Sequence, residues 1–310
     1  VMNMDGLHTR YEDTAPIYEE IAAAPREEAT AIMQRIYAEP QKPELVATRV
    51  EEIKRGGGTA AVSFVPQNAK RMAPLAVEAG ADMIVVQATV VTARHSSKSL
   101  KGLIFSDLIK DIDVPILVGN TVSYEVTKEL MQQGIHGVLV GVGPGSVCTS
   151  REVLGIGIPQ VSATVECAAA RDDFFKETGK YIPIITDGGI RTGGDVCKSF
   201  AAGANAVMIG SPFAKCEEAP AKGYHWGMAT WHVSLPRGTR IKMETEYSLR
   251  QLLYGPSSRT DGTLNLVGAL QVCMGYVGAE NLREMNNARM VYAPAMKTEG
   301  KIYQAAGLGF

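Results

Sequence analysis

The stretch that decides the fold is GVLVGVGPGSVCTS, residues 137–150. It begins with the short apolar run Gly137–Val140, which is typical of a strand buried on both faces of a parallel sheet. Glycines follow directly and permit backbone conformations that side chains forbid. The loop then presents one thiol, Cys148, a candidate nucleophile, with backbone amides available to an anion. The stretch therefore predicts a strand end that carries chemistry.

Strand and helix patterns alternate on both sides of residues 137–150. Repeated βα units of about 25–30 residues predict a parallel sheet with right-handed crossovers. Because polar or glycine-rich residues follow nearly every strand, a TIM (β/α)8 barrel fits better than a doubly wound sheet. The chain begins with a strand and without a start methionine, so we expect the barrel's first strand to be missing. The seven predicted strands are residues 1–4, 59–65, 82–87, 114–119, 137–140, 182–186 and 206–209.

The barrel is predicted to fill the whole chain, residues 1–310, as one domain with two additions. Residues 12–58 are interpreted as a helical connector broken by prolines. Residues 219–256 combine glycine, proline, aromatic and charged residues and are too long for a plain loop, which indicates a flap or lid over the barrel mouth. Helices are expected after the flap at residues 264–276 and 281–287.

Composition narrows the classes of partner. The chain has 310 residues and a formal net charge of −2, which argues against nucleic acid or an anionic membrane as a partner. No apolar run approaches the ~18 residues of a membrane span and no signal peptide is visible, so we expect a cytoplasmic protein. The five cysteines show no CxxC pair and no ligand spacing with histidine, which indicates reduced thiols rather than zinc or a disulfide framework.

Two further strand ends carry residues suited to a nucleotide. Asp187 follows a strand and precedes two glycines, so its carboxylate can accept from sugar hydroxyls while the glycine amides hold a phosphate. Taken alone, Asp187 is also consistent with a helix-capping role. Gly210 and Ser211 follow the last strand, and small residues ending the seventh and eighth strands of a barrel are the usual phosphate site. The order of these strand ends after Cys148 is more specific than any one of them.

Taken in this order, the features resemble the IMP dehydrogenase/GMP reductase family over essentially the whole chain. The chain is most similar to IMP dehydrogenase-like proteins that lack the inserted regulatory CBS pair, and residues 12–58 stand in the place of that insertion. The resemblance is carried by residues 143–149, 159–160, 187–191, 203–204, 208–211, 218–220, 227–228 and 275–279.

The resemblance implies the reaction of an IMP dehydrogenase, in which IMP, NAD and water give XMP and NADH. Cys148 matches the nucleophile that attacks C2 of the purine while hydride leaves to NAD, and water then hydrolyses the adduct. Asp187 matches the carboxylate that binds the ribose hydroxyls. The other implied substrate contacts are Ser146, Gly189, Gly210 and Ser211 at the phosphate, and Gly227, Met228 and Ala229 at the base.

The implied cofactor site departs from the family pattern. Asn120 matches an asparagine near the nicotinamide, but Gln87 stands where the family has an aspartate that faces cofactor and nucleotide. A potassium ion is also implied, on the backbone carbonyls of Gly143, Gly145 and Cys148 and on a Glu-Gly pair for which residues 299–300 are the candidates. The family further suggests a homotetramer that can pair into an octamer.

The residues that activate water also depart from the family. Ser150 replaces a threonine and keeps its hydroxyl. The arginine-tyrosine pair of the dehydrogenase flap has no clean equivalent, so Arg237 and Arg240 are candidates for the general base, with surface or phosphate-contacting cations as the other interpretation. His225 stands where the family often has a tyrosine that reaches the phosphate, and it is either a donor to that phosphate or an ordinary loop histidine.

Three functions stay open at this level, and we expect the first, an IMP dehydrogenase. The second is a GMP reductase, which would consume NADPH and release ammonia with Glu244 or Glu246 on its flap. The third is a purine-nucleotide-binding protein without catalysis. Arg151 is reductase-like whereas residues 152–153 are dehydrogenase-like, so this motif does not fix the direction of the reaction.

Overall fold

The computed structural model describes residues 1–92, 102–221, 223–227 and 240–292. Seven strands form one parallel sheet, in which every strand pairs with the next one in sequence. All seven predicted strands are present, with ends shifted by a few residues. They are β1 (Met2–Asn3), β2 (Ala61–Phe64), β3 (Met83–Gln87), β4 (Ile116–Thr121), β5 (Gly137–Val140), β6 (Ile184–Asp187) and β7 (Ala206–Met208).

The strands of this sheet carry apolar side chains on both faces, as expected of a sheet that is covered on both sides. In β3, Ile84 and Val86 belong to the large core beneath the helices, whereas Val85 packs with Leu117 and Leu139 in a separate cluster. Because side chains alternate between the two faces of a strand, the smaller cluster lies on the inner face. A parallel sheet in sequential order with an inner apolar cluster confirms the predicted TIM-barrel-like fold.

No helix in the described ranges is both long and apolar enough to cross a membrane. The helices lie in the connections between the strands and after the last strand. They are α1 (Ala15–Ala23), α2 (Ala29–Ala38), α3 (Pro43–Arg55), α4 (Pro66–Glu78), α5 (Phe105–Lys110), α6 (Tyr124–Gln132), α7 (Ser150–Leu154), α8 (Gln160–Thr178), α9 (Gly193–Ala201), α10 (Ser211–Ala214), α11 (Leu249–Tyr254) and α12 (Leu266–Val277).

The helix predicted at residues 281–287 is wrong in extent. Only a short 3-10 turn forms there, at Glu284–Asn287. The side-chain oxygen of Asn281 accepts the backbone amides of Arg283 and Glu284 at 3.1 and 3.2 Å. A side chain that accepts hydrogen bonds from nearby backbone amides in this way favours a tight turn over a helix.

The connector, residues 12–58, contains helices α1 to α3 between β1 and β2. Ile21, Met33 and Ile36 bury their side chains in a cluster of their own, against which Trp226 packs. The indole nitrogen of Trp226 donates to the hydroxyl oxygen of Tyr37 at 2.8 Å. The connector is therefore in direct contact with the segment that the sequence identifies as a flap.

Within the flap segment, residues 219–256, two short strands form a hairpin. Strand β8 (Tyr224–Trp226) pairs antiparallel with β9 (Arg240–Lys242), while residues 228–239 lie outside the described part of the chain. Arg240 donates to the backbone carbonyl of Ala24, and its guanidinium carbon lies 4.7 Å from the centre of the Tyr224 ring. Trp226 holds one strand of the hairpin to the connector, and Arg240 holds the other.

Helices α9 and α12 approach each other closely at Gly193. A Cβ atom built on Gly193 would stand 2.3 Å from the Cβ of Ala269, far inside the normal contact distance. A Cβ atom built on the next residue, Gly194, would lie 3.7 Å from its nearest neighbour, the hydroxyl oxygen of Thr192. The two adjacent glycines therefore differ in whether α12 leaves room for a methyl group.

Gly193→Ala is expected to destabilise the fold by about 1–3 kcal/mol, because the added methyl group overpacks the contact between α9 and α12. Gly194→Ala is the matched control and should be neutral or slightly stabilising, since alanine favours a helix over glycine. Denaturant unfolding followed by circular dichroism gives the free energy of unfolding of both variants. Equal stability of the two variants would contradict the close approach at Gly193.

Candidate active site

The carboxyl ends of the strands open into one cavity of about 650 Å³. Active sites of barrel enzymes lie at this end of the strands. The structure brings thirteen of the predicted site residues to the wall of this cavity. They are Gln87, Asn120, Gly143, Gly145, Ser146, Cys148, Ser150, Asp187, Gly189, Gly210, Ser211, His225 and Gly227.

The loop after β5 presents Cys148 to the cavity. Its backbone amide donates to the carbonyl oxygen of Gly145 at 3.1 Å, which closes a tight turn. The thiol is half-buried and donates to the hydroxyl oxygen of Ser150 at 3.3 Å. Ser150 itself is only 2% exposed. A reachable sulfur with a fixed hydroxyl behind it is an arrangement suited to a nucleophile and a proton relay.

Gly141 sets the path of this loop. Its φ is +149°, and a Cβ atom there would stand 2.2 Å from the backbone oxygen of Asp187. The ends of β5 and β6 therefore meet at a distance that only glycine permits. This contact brings the loop that carries Cys148 beside the end of β6.

The carboxyl group of Asp187 is enclosed by two side-chain amides. Gln87 Nε2 and Asn120 Nδ2 each donate to its Oδ2 atom at 2.8 Å. A register shift between β4 and β5 spans Asn120, and such irregularities aim side chains away from the regular pleat. Burial raises the pKa of Asp187, and the hydrogen bonds from Asn120 and Gln87 oppose that rise.

Two hydroxyls and an imidazole gather at another part of the wall. Ser146, from the loop after β5, and Ser211, the first residue of α10, are hydrogen-bonded to each other. Nδ1 of His225 lies 3.4 Å from the Ser211 hydroxyl oxygen. Burial lowers the pKa of His225, which favours the neutral ring near pH 7. Donors of this kind, on the same cavity wall as the glycine turn at Gly189, suit the oxygens of a phosphate.

The flap candidates are placed differently. Arg240 is held by Ala24 and Tyr224 and is not among the described residues that line the cavity. Glu246 accepts from Lys215 at 2.6 Å and from Arg259 at 2.5 Å. Burial raises the pKa of Glu246, but these two cations more than offset it and hold that pKa below the usual value. The remaining candidates, Arg237, Met228, Ala229 and residues 299–300, lie outside the described residues.

Sequence reasoning missed several residues of the site. Asn3, at the end of β1, and Ser63, near the end of β2, also line the cavity. A polar serine within the apolar β2 is the sequence feature that could have identified Ser63. The hydrogen bond between Trp226 and Tyr37 joins residues far apart in sequence, and no sequence pattern indicates it. Across the described ranges, no group of three or more His, Cys, Asp or Glu side chains is arranged to hold a metal ion.

Comparison with known proteins identifies the family of the chain. The family model described as "IMP dehydrogenase / GMP reductase domain" matches residues 27–246. An uncharacterised oxidoreductase of Mycolicibacterium smegmatis is 38% identical over 293 residues, which is 92% of this chain and 78% of the relative. The inosine-5'-monophosphate dehydrogenase of Cryptosporidium parvum is 36% identical over 230 residues, which is 69% of this chain and 55% of that enzyme.

A solved structure extends the comparison to the backbone. The crystal structure of an IMP dehydrogenase/GMP reductase-like protein from Corynebacterium glutamicum superposes with a TM-score of 0.86 at 33% identity. The match covers 94% of this chain and 78% of that one. Fold, strand-end residues and sequence identity therefore lead to one conclusion: the chain belongs to the IMP dehydrogenase/GMP reductase family of oxidoreductases.

Proposed function

We propose that this chain is an IMP dehydrogenase, which oxidises IMP to XMP with NAD through a covalent adduct of Cys148. The observation that carries the proposal is one cavity in which a thiol, an enclosed carboxylate and a group of two serines and a histidine lie together. These three features suit the base, the ribose and the phosphate of one purine nucleoside monophosphate.

Binding uses the ends of three strands. The hydroxyls of Ser146 and Ser211 and the amides around Gly189 and Gly210 take the phosphate oxygens. The neutral ring of His225 donates to the same phosphate, whose negative charge favours protonation of the ring on binding. The carboxylate of Asp187 accepts from the ribose hydroxyls, which leaves the purine between these residues and Cys148.

The chemical steps follow from the position of the sulfur. Cys148, as thiolate, forms a bond from Sγ to C2 of the purine. The hydrogen on C2 leaves with its electron pair as hydride, for which bound NAD would supply the acceptor. Water then adds its hydroxyl to C2, and the C2–S bond breaks to release XMP and the thiolate. The Ser150 hydroxyl, 3.3 Å from Sγ, orients that water or relays its proton.

The general base is assigned to the flap. Because Arg240 is bound to the connector and does not line the cavity, Arg237 is the candidate that we retain for the proton of the attacking water. Arg237 belongs to the segment between the two strands of the hairpin.

The described residues fit a nicotinamide beside Cys148. Ala88, Thr89 and Asn120 follow β3 and end β4, and all three line the cavity. Its volume of about 650 Å³ lies within the range of small-molecule sites. These residues would hold and orient the ring of NAD against the face of the purine.

The described residues fit potassium only in part. Of the carbonyls of Gly143, Gly145 and Cys148, that of Gly145 already accepts from the Cys148 amide. The side chain of Arg151 lies against Gly143, where a Cβ atom would stand 2.7 Å from its Nε atom. A fixed cation therefore already lies beside this loop, and we assign no step to potassium.

We also propose a homo-oligomer, with the tetramer as the expected form and the octamer as a further assembly. Helix α12 leaves Val272, Tyr276 and Val277 at 58, 88 and 47% exposure. Large apolar side chains grouped on one surface favour association.

GMP reductase is the second candidate function. The position of Arg151 favours it, because this reductase-like residue places its side chain against the loop that carries Cys148. Against it, Glu246 is bound by Lys215 and Arg259 instead of turning to the cavity. Two assays at 340 nm separate the functions. IMP with NAD should raise the absorbance, whereas a reductase would lower it with GMP and NADPH.

Cys148→Ala should lower kcat by about three orders of magnitude or more, because Cys148 is the only thiol on the described wall of the cavity. Binding of IMP, measured by calorimetry, should change by only a few-fold. Cys273→Ala is the matched control, since this half-buried thiol does not line the cavity, and it should keep normal turnover. Normal turnover of Cys148→Ala would overturn the mechanism, and tight IMP binding without turnover by the unaltered protein would leave a nucleotide-binding protein.

Tyr37→Phe should weaken nucleotide binding, because the lost bond to Trp226 loosens the strand that carries His225. Tyr11→Phe is the matched control, since its hydroxyl donates at 2.9 Å to the carbonyl of Ile36 and does not touch the hairpin. Both variants should lose about 1 kcal/mol of stability. Calorimetric titration with IMP should show weaker binding for Tyr37→Phe alone; an equal effect of both variants would disprove this link between connector and site.

A further inference from the structure

Gln87 and Asn120 form a closed set of hydrogen bonds around Asp187. The amide nitrogen of Gln87 donates to Asp187 Oδ2 at 2.8 Å and to the side-chain oxygen of Asn120 at 3.1 Å. The amide nitrogen of Asn120 donates to the same Oδ2 atom at 2.8 Å and to the carbonyl oxygen of Gly141 at 2.9 Å. Each amide thus uses both of its N–H groups, and the orientation of both is determined.

Both bonds to the carboxylate end on one oxygen atom. Within the described ranges, no hydrogen bond ends on the other oxygen, Oδ1, of Asp187. Asp187 lines the cavity, so Oδ1 is the oxygen that a ligand can reach. Gln87 and Asn120 are 7% and 6% exposed, which gives their amides little freedom to turn away.

We infer that Gln87 is a positioning residue for the nucleotide, not a contact of the cofactor: with Asn120 it holds Oδ2 of Asp187 so that Oδ1 faces the ribose hydroxyls. The inference deepens the proposed function and depends on it for the identity of the ligand. It assigns to the substrate side a residue whose position in the sequence suggested the cofactor side.

The charge of the site supports this role. Burial raises the pKa of Asp187, and the two amides are the groups that act against that rise. The other ionisable side chains on the described wall of the cavity are those of Cys148, Arg191 and His225. A neutral donor at Gln87 favours the ionised form of Asp187, whereas a carboxylate at that position would disfavour it.

A ligand pair tests the inference directly. Gln87→Met removes both N–H donors and keeps the length of the side chain. Its affinity for IMP, measured by calorimetry at pH 7.5, should fall about tenfold, the typical loss of a hydrogen bond to a charged group. Its affinity for 2',3'-dideoxy-IMP, which lacks the ribose hydroxyls, should stay within twofold of the unaltered protein. Gln132→Met, an exposed residue on α6, controls for the substitution itself.

A pH series separates positioning from a general structural role. Gln87→Glu places a second carboxyl group at the position from which Gln87 now donates. We expect the ratio of its Kd for IMP to that of the unaltered protein to rise as the pH increases from 5 to 8, because the introduced group ionises. Use of the ratio removes the titration of the phosphate and of His225, which both proteins share.

The outcomes are distinct. If Gln87→Met weakens IMP and dideoxy-IMP equally, or if the Kd ratio of Gln87→Glu does not change with pH, the positioning role is wrong and the proposed function stands. If the unaltered protein binds neither IMP nor GMP, the proposed function falls and the inference falls with it. Selective loss of IMP binding together with a rising ratio supports both.

Discussion

The arrangement of the strand ends depends on the hydrogen bonds that Gln87 and Asn120 donate to the enclosed carboxyl group of Asp187. Asp187 has no cation among the groups that shift its pKa; burial acts on one side and two amides on the other. An ionised carboxylate away from water is stable only when it is hydrogen-bonded. The donors come from the ends of β3 and β4, so hydrogen bonds to the carboxyl group of one residue connect three strands.

The position of the Cys148 thiol also depends on Asp187 and its two amides, through the backbone at Gly141. Gly141 accepts from Asn120 through its carbonyl oxygen, and it lies against the backbone oxygen of Asp187. The loop that begins at Gly141 therefore starts from a position defined by the carboxylate and its two amides. Cys148 reaches the cavity seven residues later along that loop. In the proposed function, recognition of the ribose and placement of the nucleophile thus share one set of contacts.

The sequence predicts the parts of this arrangement that are local. The seven strands, the parallel sheet and the residues at the strand ends follow from short apolar runs bounded by glycine and polar residues, because these patterns depend on near neighbours. The helix at residues 281–287 was predicted too long because a single side chain, Asn281, redirects the backbone amides. The bond from Gln87 to Asp187 joins residues 100 positions apart, and no local pattern indicates it.

The position of the hairpin depends on contacts with the connector, residues 12–58, which are distant from it in sequence. Trp226 and Arg240 fix the two strands of the hairpin to Tyr37 in α2 and to Ala24 at the end of α1. The helices of the connector therefore hold both strands of the hairpin. In the proposed mechanism, nucleotide recognition depends on the strand ends, whereas the fate of the adduct depends on a hairpin that the connector positions.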